Sequence, residues 1–191
     1  EVFKIFLTMA EDSNPPNNNG YTPLHQAALN GHSEIVKMIL DMIEEKNPRD
    51  ENGNTPLHEA TMNGHAEIFQ MILDVALEKN PRNKNGNTPL HAAAFNGDAE
   101  IVKMILDLAV EKNPKNKLEF TPLHRAAFKG HSEIVKMILD VTEDKNPKNR
   151  GGTTPLHEAS ENGHAEIVKM ILDVSEEDRK STRLNSSHAN I

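Results

Sequence analysis

The chain of 191 residues sets 29 acidic side chains against 21 basic ones, a net charge of -8. That balance argues against nucleic acid as a partner, because phosphate binding needs a dominant basic surface. With no cysteine there is neither a disulfide framework nor a thiolate metal site, and no run of about 18 apolar residues is present to span a membrane.

The chain opens on Glu1-Val2-Phe3-Lys4-Ile5-Phe6-Leu7, which falls over Glu34-Ile35-Val36-Lys37-Met38-Ile39-Leu40 when shifted by 33 positions. Asn14-Pro15 then lies over Asn47-Pro48, and Asn19-Gly20 over Asn52-Gly53. Residues 1–21 read as the second helix and finger of a truncated repeat, and more repeats are expected upstream. Phe3, Phe6 and Met9 would form its uncovered apolar face.

From Thr22 the local signals predict a short helix. The Thr22 hydroxyl is placed to cap it, and Pro23 takes the first helical position, where a missing N–H costs nothing. Leu24, Ala27 and Ala28 recur at helical spacing, the alanines allowing close backbone approach, and Gly31 supplies the left-handed turn that ends the helix. A second helix follows from about Ser33, apolar nearly all round except for Glu34, Lys37 and Asp41. Such a helix has to be covered on several sides. Asn47-Pro48 then favours an extended chain, and Asn52-Gly53 forms a tight turn, repeated at Asn85-Gly86 and varied to Gly151-Gly152.

The segment Thr22-Pro23-Leu24-His25 returns at Thr55, Thr88, Thr121 and Thr154, each time after 33 residues. A fixed period of this length carrying T-P-L-H-x-A resembles ankyrin repeats. The resemblance implies an all-α solenoid of helix-turn-helix units with β-hairpin-like finger loops. Its repeats are 22–54, 55–87, 88–120 and 121–153, with a partial one at 154–178. Residues 179–191 match nothing upstream and resemble the translation of a sequencing-library adapter; they are expected to be disordered and non-native, and the sequon at Asn185 is set aside with them.

Three departures from the pattern carry expectations. The glycine usual for the family near the end of the second helix is replaced by Ile43, Ala76, Ala109, Thr142 and Ser175, which predicts a second helix longer by up to a turn. Asp98 stands where the other repeats have His32, His65, His131 and His164, and could cap a helix through its side chain. Leu118-Glu119-Phe120 replaces Asn-Gly-Asn, which should loosen or reshape that finger.

The ten histidines do not make a metal site. His58-Glu59 and His157-Glu158 begin like H-E-x-x-H, but Met62 and Glu161 occupy the fourth-on position. The histidines read instead as structural groups bonding backbone in every unit. No nucleophile elbow or phosphate-cradling loop occurs, so no cofactor, metal or enzymatic activity is expected. Arg49, Arg82, Lys115 and Lys148 read as solubilising surface.

Two columns vary while the frame holds. One runs Leu29, Met62, Phe95 and Phe128, ending in Glu161; from periodicity alone its apolar members read as core. The other precedes each threonine: Tyr21, Asn54, Asn87, Phe120 and Thr153. The resemblance implies that both line a concave groove, so that Tyr21, Leu29, Asn54, Met62, Asn87 and Phe95 contact a partner. Leu118, Phe120, Phe128 and Lys129 complete that candidate surface. The function so implied is a monomeric, non-catalytic scaffold binding a protein segment in the cytoplasm or nucleus. The alternatives are a regulatory or targeting portion of a larger enzyme, ubiquitin ligase adaptor or channel, or a compliant spacer.

Overall fold

In the computed structural model residues 13–175 are described; the readings made for residues 1–12 and for the tail lie outside them. Helices follow one another in pairs: α1 (Pro23–Leu29), α2 (Ser33–Leu40), α3 (Pro56–Met62), α4 (Ala66–Val75), α5 (Pro89–Asn96), α6 (Ala99–Leu108), α7 (Pro122–Lys129), α8 (Ser132–Val141) and α9 (Pro155–Glu161). A tenth, α10, covers 165–175, and no strand occurs among the described residues. The chain divides into two compact units, Glu1–Val110 and Glu111–Ile191.

In unit 1 the first helices α1, α3 and α5 pack in sequence, the second helices α2, α4 and α6 likewise, and each first helix packs on its own second helix. In unit 2, α7 packs on both α8 and α9. The core is what the apolar period demands: Leu24, Ala28, Val36, Ile39, Leu57, Ala60, Phe69, Leu90 and Ala94 in unit 1, and Leu123, Ala127, Ile138 and Ile171 in unit 2, all without exposure. Glu34, Lys37 and Asp41 form the wet stripe expected of α2.

Each first helix has its N-terminal amides accounted for. Pro23 removes one, Thr22 Oγ1 accepts from His25 N–H, and His25 Nδ1 accepts from Thr22 N–H at 3.1 Å. The Leu24 amide donates to Asn14 Oδ1 at 2.9 Å. The same bond recurs from Leu57 to Asn47, Leu90 to Asn80, Leu123 to Asn113 and Leu156 to Asn146. A residue ten positions back thus completes the cap, so the asparagine of Asn-Pro does more than stop a helix.

Four second helices are not lengthened: they end at Leu40, Val75, Leu108 and Val141, and Ala76, Ala109 and Thr142 adopt extended backbone, whereas α10 continues through Ser175. An extended residue needs no glycine, which is why the substitution is tolerated without another turn of helix. Lysines close these ends: Lys46 Nζ donates to Leu40 O, Lys79 Nζ to Leu73 O and Lys145 Nζ to Leu139 O, each at 2.6 Å. Cations bonded to the last carbonyls also meet the negative end of the helix dipole.

The fingers are hairpin turns. Asp50 N–H donates to Asn54 O and Gly53 N–H to Asp50 O, both at 2.9 Å, and Asp50 Oδ1 accepts from the amides of Asn52 and Asn54. Successive fingers bond through Lys84 N–H to Asn52 O in unit 1, and through Arg150 N–H to Leu118 O in unit 2. The finger at 118–120 keeps this shape, contrary to expectation: Asn116 N–H reaches Phe120 O at 2.9 Å and Glu119 N–H reaches Asn116 O at 2.8 Å. The bonds hold because Asn116 Oδ1 still accepts from the amides of Leu118 and Phe120, and Glu119 takes the glycine conformation at φ 63°, alone among the described non-glycine residues.

Asp98 stands at the N-cap of α6, but its side chain makes no capping bond. It lies beside Gly64, where the corresponding His65 ring lies against Gly31 and bonds Leu29 O at 3.1 Å. A carboxylate cannot donate to a carbonyl, and Asn96 supplies the donor instead, its Nδ2 reaching Thr61 O at 3.2 Å and Met62 O at 3.3 Å.

Candidate functional site

The residue before each threonine and the last turn of each first helix form the candidate surface, and the frame beneath it is held by histidines. His25 Nδ1 accepts from the Thr22 amide, so Nε2 is the protonated nitrogen and donates to Asn54 O at 3.2 Å. His58 does the same to Asn87 O at 3.2 Å, and His124 to Thr153 O at 3.1 Å. Burial is the main reason that all three are held below the ordinary histidine value, His58 and His124 to about 4. Neutral imidazoles therefore tie α1, α3 and α7 each to the finger that follows, the structural role read from sequence.

In unit 1, the Tyr21 ring stacks on His25 with centroids 4.8 Å apart, and its hydroxyl lies within hydrogen-bonding reach of the Glu59 carboxylate. Asn54 and Asn87 are half-buried and committed to the fold. Asn54 Oδ1 accepts from Asn83 Nδ2 at 2.9 Å, and the Asn87 carbonyl receives both Asn83 N–H and His58. Leu29 is half-buried, whereas Met62 is 47% exposed and Phe95 37%. The core reading of that column therefore fails for Met62 and Phe95, which stand exposed in the last turn of α3 and α5 while Leu57 and Leu90 are buried.

In unit 2, Phe120 meets His124 edge-on at 5.5 Å, and the Arg125 guanidinium lies 4.9 Å from the Phe120 centroid. Phe128 is 40% exposed with Lys129 Nζ 5.8 Å from its centroid. Leu118, at the finger, is 55% exposed. Phe120, His124, Arg125, Phe128 and Glu158 together line a cleft of about 180 Å³. Phe120 and Phe128 are thus brought to one place.

The residues that sequence reading missed lie in the column after each histidine: Gln26, Glu59, Ala92, Arg125 and Glu158. It varies beside an invariant neighbour, and that signal was available. The pre-finger basic residues are also more than surface: Arg49 bonds Arg82 O at 2.6 Å and Glu78 Oε2 at 2.7 Å, and Lys115 bonds Lys148 O at 3.3 Å. The larger hollows of unit 1, about 670 and 640 Å³, are lined by loop residues such as Pro48 and Arg49.

Paired helices, a finger between pairs and the same capping bonds every 33 residues define a tandem helical repeat protein. The family model described as Ankyrin repeats (3 copies) matches residues 42–116, 74–149 and 109–182, and that described as Ankyrin repeats (many copies) matches 8–60. The chain belongs to the ankyrin repeat family. A comparison with curated proteins gave no match. Repeats of this family are generally protein–protein interaction modules and typically non-catalytic. No helix among the described residues is long and apolar enough to cross a membrane.

Proposed function

We propose that the chain is a non-catalytic scaffold whose units capture protein segments through their fingers and first helices. The observation that carries this reading is the exposure of one column: Met62, Phe95 and Phe128 are 47%, 37% and 40% exposed, while Leu57, Leu90 and Leu123, five positions earlier, are fully sealed. Large apolar side chains left in water at one repeat position contribute little to the fold and much to an interface. In this reading the chain acts as a monomer, in the cytoplasm or nucleus, and its acidity disfavours nucleic acid.

The test replaces Phe95 and Phe128 together by Asp. Capture of peptides selected from a random library on the unaltered chain should be lost, with helical content and melting temperature unchanged. A large drop in melting temperature would instead make the two rings part of the core, where such truncations cost about 3–5 kcal/mol.

A further inference from the structure

The cleft of unit 2 has walls of opposite charge. On α7, Arg125 lies against the Phe120 ring and Lys129 reaches the Phe128 ring, so both aromatic walls carry a cation. On α9 stand the half-buried Glu158 and, three residues on, the exposed Glu161. Burial and then Glu161 raise the Glu158 carboxyl, and Arg125 opposes the rise.

The space of about 180 Å³ suits one large side chain, since a cavity of about 150 Å³ holds a benzene ring. Helices α7 and α9 are direct neighbours, which places their axes ~8–10 Å apart, and an extended chain advances ~3.3 Å per residue. A partner strand therefore crosses from the cationic wall to the anionic one within about three residues.

Resting on the scaffold reading above, we infer that unit 2 selects protein segments in which one large apolar residue, seated between Phe120 and Phe128, has an acidic neighbour facing Arg125 and Lys129 and a basic neighbour facing Glu158 and Glu161. The corresponding positions of unit 1 lack this pattern. Tyr21 stands for Phe120, Gln26 for Arg125 and Glu59 for Glu158; Glu59 is 5% exposed and faces the Tyr21 hydroxyl. Its charge is spent inside the fold. Phe120 has no hydroxyl to bond Glu158 in the same way, so the acid remains part of the cleft wall.

A phage-displayed random dodecapeptide library is selected on the full chain, on Arg125→Glu, on Glu158→Lys and on the double reversal Arg125→Glu with Glu158→Lys, which keeps an opposite-charge pair if either single variant folds poorly. The unaltered chain should enrich, by about tenfold or more, peptides with a large apolar residue between an acid and a base. Arg125→Glu should exchange the acid for a base, Glu158→Lys the base for an acid, and the double reversal should invert the order. Binders without charge preference, or a preference that survives the reversals, would overturn the inference and leave the scaffold reading standing. If none of the four chains enriches any peptide, both fall.

Discussion

The hydroxyl of Tyr21 lies within hydrogen-bonding reach of the carboxylate of Glu59, a residue of α3 that is only 5% exposed. An acid so placed needs its donor: leaving a buried polar group unsatisfied costs roughly 1–3 kcal/mol, more when it is charged. Tyr21→Phe should therefore lower stability at neutral pH by about 1–3 kcal/mol, read from urea denaturation. The penalty should shrink in acid, where Glu59, already raised by burial, is protonated. An unchanged midpoint would mean that the carboxylate finds water instead.

Stability should fall as the pH drops below the usual histidine range. His58 and His124 take up protons near 6.5 in the unfolded chain and near 4 in the fold, chiefly because of burial. The stabilisation is fully present above 6.5 and lost as pH falls from 6.5 to 4, by up to roughly 3 kcal/mol for each. Glu59, Glu158 and Asp98 act in the opposite sense, since burial raises their carboxyls and the fold takes their protons first. Urea midpoints at about pH 7.5, 5.5 and 4.5 should decline, and Glu59→Gln should steepen the decline. A flat profile would refute the burial argument.

Glu119→Gly should stabilise the chain. The residue holds φ 63°, and a left-handed conformation costs a non-glycine residue about 1–2 kcal/mol, partly offset by the greater freedom glycine has when unfolded. The ion pair lost, Lys115 to Glu119 at 3.4 Å, is nearly half-exposed on both sides and worth at most about 1 kcal/mol. The expected gain is at most about 1 kcal/mol, measured as an upward shift of the denaturation midpoint.

Alanine at Gly130 and at Gly163 separates strain from collision. Both glycines have positive φ, 81° and 76°, so each substitution costs about 1–2 kcal/mol of backbone strain. A Cβ at Gly130 would also lie 2.5 Å from His164 Cε1, whereas one at Gly163 meets nothing within 4 Å. Gly130→Ala should be the more damaging, and adding His164→Ala should recover part of the difference in a double-mutant cycle.

Asn113→Ala removes the acceptor of the Leu123 amide, 3.0 Å away, and should cost about 0.5–2 kcal/mol as a lost helix cap does. Asn113→Asp keeps an acceptor at that helix end and should cost less. Faster hydrogen exchange at the Leu123 amide in the alanine variant would mark the bond directly.

The amino-acid order alone determined the repeat, its period, both helices of each unit, the proline start, the glycine stop and the structural duty of histidine. These depend on neighbours a few residues away, and five near-copies repeat the same local signals. It could not show that Asn113 caps a helix ten residues on, that Glu119 would carry a glycine's conformation and keep its finger in shape, or that Asn96 would donate where Asp98 cannot. Nor did it show that Tyr21 closes over Glu59 while Phe120 leaves Glu158 lining a cleft. Those outcomes turn on which side chains meet across repeats, and on whether a buried polar atom there finds a partner, which only the packed structure decides.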